Sequence, residues 1–253
     1  MNKSVKKFLK FFKIHKLLFF KKYFLFLKDF FNFKKKSNQN KKRFSIEWKK
    51  RYPCLNDNTK ETYFDRHYVY HTGWAARIIA KNNPTYHVDI ASSLYFISIA
   101  SAFVPTKFYD YRPADLKLDN LSSHSADLLN LPFENKSIHS LSCMHVVEHV
   151  GLGRYGDPLD PEGDLKAINE LQRVVAHKGS LLFVVPIGKP VIMFNAHKIY
   201  TPDQIVSYFS ELKLKEFSLI PDKEEDGGLI KNPSQQLLNK QIYGCGCFWF
   251  VRN

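Results

Sequence analysis

The stretch YHVDIASSLYFISIASAF, residues 86–103, predicts a buried strand that runs through a short turn into a helix. Residues 86–90 are rich in β-branched and aromatic side chains, as buried strands are, and they carry one acid, Asp89, near their end. The apolar run at 93–103 is typical of a helix that packs on a sheet. A strand joined in this way to a helix is the repeating unit of an α/β fold with parallel strands.

The same alternation continues on both sides of this stretch. A helix is predicted before it, over residues 59–81, and the Asn-Asn-Pro sequence that follows ends that helix. After it we predict six further strands, at residues 108–110, 124–126, 137–144, 180–185, 214–220 and 242–251. Helical segments are predicted near Leu116 and at residues 161–176 and 202–211. No helix is predicted between the last two strands, which should therefore pair antiparallel. The predicted fold class is α/β, with a mostly parallel seven-stranded sheet and an antiparallel last strand.

Basic charge is concentrated at the amino-terminal end of the chain. Of 253 residues, 38 are Lys or Arg and 24 are Asp or Glu, but residues 1–43 hold 15 of the basic residues and one of the acidic ones. Residues 44–253 therefore hold 23 of each, which argues against a nucleic-acid-binding face. We predict two parts: a basic amphipathic segment and linker at 1–43, with the linker at 34–43, and a folded domain at 44–253.

Residues 3–33 combine ten Phe and one Tyr with lysines, in a pattern that predicts an amphipathic helix. One side carries lysines 3, 6, 7, 10 and 13, and the opposite side carries Val5, Phe8, Phe12 and Phe19. The apolar runs are far shorter than the ~20 residues that cross a bilayer, and no small-residue cleavage site follows. We predict that residues 3–33 bind an anionic membrane surface. The alternatives are packing on a partner protein and a compositional bias without function.

The four cysteines, at positions 54, 143, 245 and 247, are too few and too irregular for a disulfide framework. They predict a reducing compartment, so the protein is expected in the cytoplasm, held peripherally at the inner face of the cytoplasmic membrane. Cys245 and Cys247 should point to one face of a strand and pack there.

Three acids come at or just after the ends of the first three predicted strands: Asp89, Asp110 and Asp127. The carboxyl ends of parallel strands meet at one edge of a sheet, where α/β proteins bind ligands. An acid after the second strand can accept hydrogen bonds from both ribose hydroxyls, and one near the third can accept from an adenine amino group. The set predicts a nucleoside site, although each acid alone is also typical of a helix cap or a solvated loop.

Three segments carry a resemblance to a known superfamily: LPFENKS at 131–137, LSCMHVVEH at 141–149 and ELQRVVAHKG at 170–179. In order and spacing they resemble the fourth-strand to fifth-strand region of class I S-adenosylmethionine-dependent methyltransferases. More narrowly, HVVEHVGLGRYGDPLDPEGD at 145–164, with FNAH at 194–197, resembles an uncharacterised bacterial, methyltransferase-like family of unknown function. The resemblance implies the Rossmann-like class I methyltransferase fold and S-adenosylmethionine as cofactor.

The resemblance also implies roles for individual residues. Asp89 and the turn Ala91-Ser92-Ser93 would face the methionine part of the cofactor, Asp110 its ribose, and Asp127 with Leu128 its adenine. His145 and Glu148 would line the pocket where cofactor and substrate meet. The family usually has glycine where this chain has Ala91. The added methyl either crowds the cofactor or, if φ is positive, costs about 1 kcal/mol of backbone strain.

Methyl transfer needs alignment of the acceptor and removal of one proton, for which histidine is the expected base. The candidates are His145, His149 and His197, and His145 is favoured because it directly follows a predicted strand. Each of these histidines is equally typical of a hydrogen-bonded structural role.

Three other patterns overlap this region. GLGRYG at 151–156 matches GxGxxG, but no strand leads into it, so no dinucleotide site is predicted. HVVEH at 145–149 matches the HxxEH motif of inverted zinc peptidases, which needs a long helix that is not predicted here. The acidic loop at 157–164 offers oxygen ligands for a divalent cation but is also typical of a solvated turn. We assign no metal ligands.

The predicted function is S-adenosylmethionine-dependent methyl transfer to a small-molecule or glycan acceptor close to the membrane. The alternatives are a catalytically inactive methyltransferase-like scaffold or binding module, which the substitution at Ala91 would suit, and a zinc hydrolase built on HxxEH.

Overall fold

The computed structural model describes residues 3–39 and 44–253, without the side chains of residues 3–15 and 38–39. Two compact units are present, residues 1–63 and 64–253. The division between them therefore lies beyond the boundary predicted at residue 43, and residues 44–63 belong with the amino-terminal unit.

A single long helix, α1 (Lys3–Gln39), dominates the first unit. Neither glycine nor proline interrupts residues 3–39, so nothing in the sequence breaks the helix. The linker predicted at 34–43 is thus helical as far as Gln39, and its remainder, 40–43, lies outside the described residues. The short 3-10 helix Trp48–Lys50 packs on α1, where the Trp48 ring centroid lies 5.1 Å from that of Phe30.

A neighbouring face of α1 carries an exposed apolar stripe, at one end of which the Phe31 ring stacks on that of Trp48, at a centroid distance of 6.0 Å. Its members recur at helical spacing and are 60–71% exposed: Leu17, Phe20, Phe24 and Phe31. Lys21 and Lys28 follow the same spacing beside the stripe and are also exposed. The faces predicted from lysines 3 to 13 and from Val5, Phe8 and Phe12 fall among residues whose side chains are not described. Across the described residues, no helix has the length and apolarity needed to cross a membrane.

The second unit alternates strands and helices. Its helices are α2 (Arg66–Asn82), α3 (Leu94–Ala100), α4 (Gly163–Val174), α5 (Pro202–Tyr208) and α6 (Gln235–Leu238). Its strands are β1 (His87–Ile90), β2 (Thr106–Asp110), β3 (Leu121–Ser125), β4 (Ile138–Met144), β5 (Val175–Ile187), β6 (Val191–Met193), β7 (His197–Ile199), β8 (Lys213–Ile220), β9 (Ile230–Lys231) and β10 (Gly244–Val251). The 3-10 helices Val147–His149 and Glu224–Asp226 lie between them.

The central sheet has the order β3-β2-β1-β4-β5-β10-β8-β9. The five strands from β3 to β5 pair in parallel, whereas β10 is antiparallel to both its neighbours, β5 and β8. This confirms the predicted mostly parallel α/β sheet with an antiparallel last strand. The seven predicted strands are present, and the two-residue strand β9 adds an eighth at the edge.

Helices cover both faces of the sheet, and alternate residues of β5 show why. Phe183 and Val185 belong to the core cluster that includes residues of α4 and α5, while Leu182 and Val184 belong to the cluster that includes residues of α2 and α3. A strand buried on both faces has a continuous apolar sequence, as β5 does.

Several predicted elements differ from the structure in their bounds. The helix predicted from residue 59 begins at Arg66, because the Asp65 side chain accepts a hydrogen bond from the Tyr68 backbone N–H (3.1 Å) and caps it. The helical turn predicted near Leu116 is irregular backbone. The β6–β7 hairpin was not predicted, since its residues 191–193 are exposed and lack the pattern of a buried strand.

Candidate functional site

The candidate site lies at the carboxyl ends of the central strands. β1 and β4 are neighbours at the point where the strand order reverses, because the chain leads from β1 outward to β2 and β3 before it returns to β4. In open α/β sheets, ligands bind in the crevice at such a point. The turn after β1 and His145, directly after β4, both lie there.

Asp89 belongs to a buried chain of hydrogen bonds. Its Oδ1 accepts from the Ser92 backbone N–H (3.0 Å), and the Ser142 hydroxyl donates to its Oδ2. The chain continues from Ser142 to Nε2 of His87 (2.8 Å) and from Nδ1 of His87 to the Ser140 hydroxyl (2.8 Å). Burial raises the pKa of Asp89 to about 6 and lowers the pKa of His87 to about 3. Both carboxyl oxygens are therefore engaged by the protein, and Asp89 holds the turn after β1.

The turn itself is strained at Ala91. Its φ of 54° lies in the left-handed region, which costs an L-residue about 1 kcal/mol and which glycine adopts freely. The Ala91 N–H donates to the Tyr109 carbonyl (2.8 Å), so the turn stays joined to β2. The Ser92 hydroxyl, which is buried, accepts from the Met144 backbone N–H (3.0 Å) and joins the turn to β4. The positive φ considered as one consequence of the added methyl is thus found.

Two further acids follow the adjacent strands. Asp110 ends β2 and is half-buried, and its Oδ1 accepts from the Arg112 backbone N–H (2.7 Å). Asp127 lies two residues beyond β3, is exposed, and accepts from the Leu129 backbone N–H (2.8 Å). Leu128 packs against the core cluster of α4 and α5. The second carboxylate oxygen of each acid has no partner among the described residues, so both acids retain an acceptor for a ligand.

His145 is enclosed at the end of β4. Its Nδ1 lies 2.8 Å from Oε1 of Glu148, and its Nε2 lies 3.5 Å from Sγ of Cys245. Its ring stacks on those of His67, with an interplanar angle of 4°, and Tyr68, at 25°. With both ring nitrogens engaged and its side chain 5% exposed, His145 has little access to an acceptor.

His149 is the more accessible histidine. Its Nδ1 donates to the Ala196 carbonyl (2.6 Å), which places the lone pair of the neutral ring on Nε2. That Nε2 lies 3.9 Å from Oε1 of Glu148. The ring edge contacts Tyr155, at a centroid distance of 5.8 Å. The tautomer and the larger exposed fraction of the side chain, 15% against 5% for His145, suit His149 to act as a base.

His197 lies beside this group. Its ring centroid is 6.4 Å from that of His149 and 4.9 Å from that of Tyr243. Burial lowers its pKa, and its Nε2 has no hydrogen-bond partner among the described residues. The structure thus brings the three candidate bases and the predicted pocket residue Glu148 together, with Glu148 between His145 and His149.

Sequence reasoning missed three aromatic residues of α2 and one cysteine that complete this cluster: His67, Tyr68, His71 and Cys245. The spacing of His67 and His71, four residues apart within a predicted helix, was the available signal, since it puts both rings on one helix face. The predicted packing of Cys245 and Cys247 on one face is found, since both lie in the core cluster of α2 and α3.

The acidic loop and the glycine motif have structural roles. Asp157 accepts hydrogen bonds from the backbone N–H groups of Gly151 (2.8 Å), Gly153 (3.3 Å) and Tyr155 (3.1 Å), and these bonds lower its pKa despite partial burial. Asp160 pairs with Lys166 and Asp164 with Lys198. Three of the four loop acids considered for a cation, Asp157, Asp160 and Asp164, are thus engaged within the protein, whereas Glu162 is exposed. The GxGxxG segment follows the 3-10 helix Val147–His149 rather than a strand, as expected for a chance match.

The HxxEH segment lacks the geometry of a zinc peptidase. The required helix is replaced by the three-residue 3-10 helix Val147–His149, and His145 directly follows a strand. Nδ1 of His145 and Nε2 of His149 both face the same oxygen of Glu148. In an inverted zinc peptidase, the two histidines bind one zinc ion while the glutamate is free to act as a base. Here both histidines face the glutamate instead, so the motif does not form that site.

Comparison with known proteins gives partial sequence matches. The model of a family described as "Caenorhabditis protein of unknown function, DUF268" matches residues 123–219. The matched family is thus one of unknown function, as the resemblance implied, but its description names Caenorhabditis rather than bacteria. An uncharacterized protein of Methanocaldococcus jannaschii is 33% identical over 78 residues, which are 30% of this chain and 29% of that protein. The chain therefore aligns with less than a third of that relative's length.

Solved structures share the fold. Geranyl diphosphate methyltransferase in complex with S-adenosylmethionine matches with a TM-score of 0.51 at 10% identity, over 72% of this chain and 85% of that chain. A proposed sarcosine dimethylglycine methyltransferase from Galdieria sulphuraria matches with a TM-score of 0.50 at 13% identity, over 72% of this chain and 85% of that chain. At these identities the likeness establishes the fold, which is the Rossmann-like fold of these methyltransferases.

Proposed function

We propose that residues 64–253 catalyse methyl transfer from S-adenosylmethionine. The observation that carries the proposal is Asp110, which ends β2 beside the switch point and keeps one carboxylate oxygen without a partner among the described residues. An acid at that position suits the two ribose hydroxyls of a nucleoside. The solved geranyl diphosphate methyltransferase of the same fold, which is in complex with S-adenosylmethionine, supports the choice of cofactor.

The residues present fit the cofactor, apart from one side chain that takes up space beside it. Asp110 would hold the ribose, and Asp127 with Leu128 would meet the adenine, while the turn 91–93 would lie against the methionine part. The Ala91 methyl occupies space that a glycine would leave open, and it reduces the affinity expected for the cofactor. When bound, S-adenosylmethionine supplies an electrophilic methyl group on a sulfonium.

Within this proposal, His149 removes the proton of the acceptor through Nε2. The Ala196 carbonyl fixes the ring, and Glu148 lies 3.9 Å away to stabilise the imidazolium. The proposed acceptor is a hydroxyl of a small molecule or glycan near a membrane. His197 and Tyr243 would form the wall beside it.

The first test is calorimetric titration of S-adenosylmethionine and its demethylated product into the full chain. Asp110→Ala should weaken binding about 100-fold, since two hydrogen bonds to a charged carboxylate contribute about 1.5 kcal/mol each. Asp115→Ala is the matched control, because Asp115 is an exposed acid in the loop after β2, and binding should not change. Ala91→Gly should strengthen binding, because it removes the methyl beside the cofactor, and it should also stabilise the folded protein by about 1 kcal/mol, because it removes the backbone strain.

A second candidate, a methyltransferase-like scaffold without cofactor, is favoured by the positive φ of Ala91. Absence of binding to the folded chain, in both the wild type and Ala91→Gly, would support the scaffold and contradict methyl transfer. Equal binding by the wild type and Asp110→Ala would remove Asp110 from the site.

We also propose that α1 attaches the protein to the anionic inner face of the cytoplasmic membrane. The apolar stripe of Leu17, Phe20, Phe24 and Phe31 would enter the acyl region, and Lys21 and Lys28 beside it would face headgroup phosphates. Four large apolar side chains, each more than half exposed on one helix face, are typical of a surface that binds a membrane or a partner.

Flotation of the full chain with vesicles that contain anionic lipid tests this attachment. Phe20→Glu/Phe24→Glu should reduce the bound fraction at least tenfold, since burial of each Phe contributes roughly 1.5–3 kcal/mol. Tyr52→Glu/Tyr63→Glu is the matched control, with the same added charge at two exposed aromatic residues of the same unit. If both double variants float like the wild type, α1 does not attach the protein.

A further inference from the structure

We propose that His67, His145 and Cys245 form a binding site for a divalent transition-metal ion of the zinc type. Each of the three offers one ligand atom, and these atoms lie within 4.8 Å of one another. They come from three separate elements: the first turn of α2, the residue after β4 and the second residue of β10. The fold therefore assembles the site from segments far apart in the chain.

Glu148 orients one ligand as carboxylates do in known metal sites. Its Oε1 lies 2.8 Å from Nδ1 of His145, which leaves Nε2 of that ring directed at Cys245, 3.5 Å from Sγ. A metal-binding histidine almost always donates its other N–H to a carboxylate, a carbonyl or water, and this bond fixes both tautomer and ring orientation. His67 stacks parallel to His145, and its ring nitrogens have no hydrogen-bond partner among the described residues.

A bound cation would balance the negative charge of the buried Glu148 carboxylate. Its side chain is 1% exposed, its Oε2 has no partner, and the bases within 4 Å of it in the described chain are histidines rather than Lys or Arg. A buried carboxylate is costly unless it is paired. An imidazole binds a metal ion in its neutral form.

The donor set selects the kind of ion. Two imidazole nitrogens and one sulfur suit Zn²⁺ and related transition ions, whereas Mg²⁺ and Ca²⁺ prefer oxygen. Burial raises the pKa of Cys245 well above its usual value, so the cysteine is a thiol before the ion binds. On binding, the S–H bond breaks, the sulfur keeps the electron pair and forms the metal–sulfur bond, and one proton is released to solvent. Three protein ligands leave a fourth position open, as in catalytic zinc sites.

Titration of the reduced full chain with Co²⁺, followed by absorption spectroscopy, tests the site. Co²⁺ bound by a thiolate gives a sulfur-to-cobalt charge-transfer band, and added Zn²⁺ should abolish it by displacement. Cys245→Ala should remove the band, and His67→Ala should weaken binding about 100-fold. Glu148→Gln should weaken it about 10–100-fold, as loss of the group that orients a ligand does. Circular dichroism of each variant verifies that it is folded.

Cys247→Ala is the matched control, because Cys247 lies on the same strand and is buried in the same core cluster. It should keep the band. No charge-transfer band in the folded wild type, or a band that survives Cys245→Ala, would overturn the proposal and leave a thiol hydrogen bond between Cys245 and His145. The measurement needs neither S-adenosylmethionine nor an acceptor, so its outcome is independent of the proposed methyl transfer.

Discussion

Lys198→Met is expected to lower the free energy of unfolding by about 3–5 kcal/mol, because it leaves a buried carboxylate without its cation. Nζ of Lys198 lies 2.5 Å from Oδ1 of Asp164, and their side chains are 5% and 8% exposed. The same Nζ donates to the Pro161 carbonyl (3.1 Å), and the Tyr200 hydroxyl donates to Oδ2 of Asp164 (2.9 Å). The Lys198 ammonium thus joins β7 to α4 and to the loop that precedes α4. Urea unfolding at neutral pH measures the loss.

Two further variants separate the buried pair from general effects of lysine removal. Lys166→Met breaks the pair with Asp160, whose side chains are 58% and 24% exposed, and should cost less than about 1 kcal/mol. Lys198→Met/Asp164→Asn should recover part of the loss, since the asparagine leaves no buried charge and still accepts from Tyr200. If Lys198→Met and Lys166→Met lower the free energy of unfolding equally, the buried pair of Lys198 and Asp164 does not stabilise the protein more than an exposed pair does.

Asp89→Asn is expected to gain stability relative to the wild type as the pH rises from about 4 to about 6. Burial raises the pKa of Asp89 from 3.8 to about 6 in the folded protein, so the folded state holds this proton more tightly than the unfolded state. The stability that Asp89 contributes is therefore complete below pH ~4 and is lost as the pH rises through ~6, by about 3 kcal/mol at most. Asparagine does not titrate. The free energy of unfolding of Asp89→Asn minus that of the wild type should therefore grow by up to about 3 kcal/mol over this pH range.

The asparagine can keep the buried chain of hydrogen bonds. Its Oδ1 accepts from the Ser92 N–H as before, and its amide donates to Ser142, which then donates to Nε2 of His87. Denaturant unfolding of both proteins between pH 4 and 7 gives the difference directly. Asp115→Asn, at a side chain that is 81% exposed, is the control and should show a constant difference. If the difference in the free energy of unfolding between Asp89→Asn and the wild type stays constant with pH, the Asp89 carboxyl has the same pKa in the folded and unfolded states.

Local patterns were enough to predict the sheet, because each strand carries its own signal. The apolar run of β5 and the turn after β1 are continuous in sequence, and parallel strands place their acids at one edge by geometry alone. The burial of Asp89 could not be predicted in the same way, since its partner Ser142 lies on β4 and meets it through the register of the two strands.

The cluster around His145 shows the same limit. The spacing of His67 and His71 was visible within a predicted helix, but their approach to His145 depends on how α2 packs against the sheet. Likewise, the choice between His145 and His149 as a base depends on hydrogen bonds to Cys245 and Ala196 that no local pattern encodes. Tertiary contacts, rather than composition or periodicity, decide these roles.

The position of Trp48 gives the first unit its own optical signal. The chain has three tryptophans, of which Trp74 and Trp249 are 3% and 5% exposed in the second unit, whereas Trp48 is 38% exposed beside α1. Emission from a partly hydrated indole falls at longer wavelengths than emission from a buried one. The red side of the fluorescence spectrum therefore reports on α1 and its surroundings, without any label, while the blue side reports on the sheet.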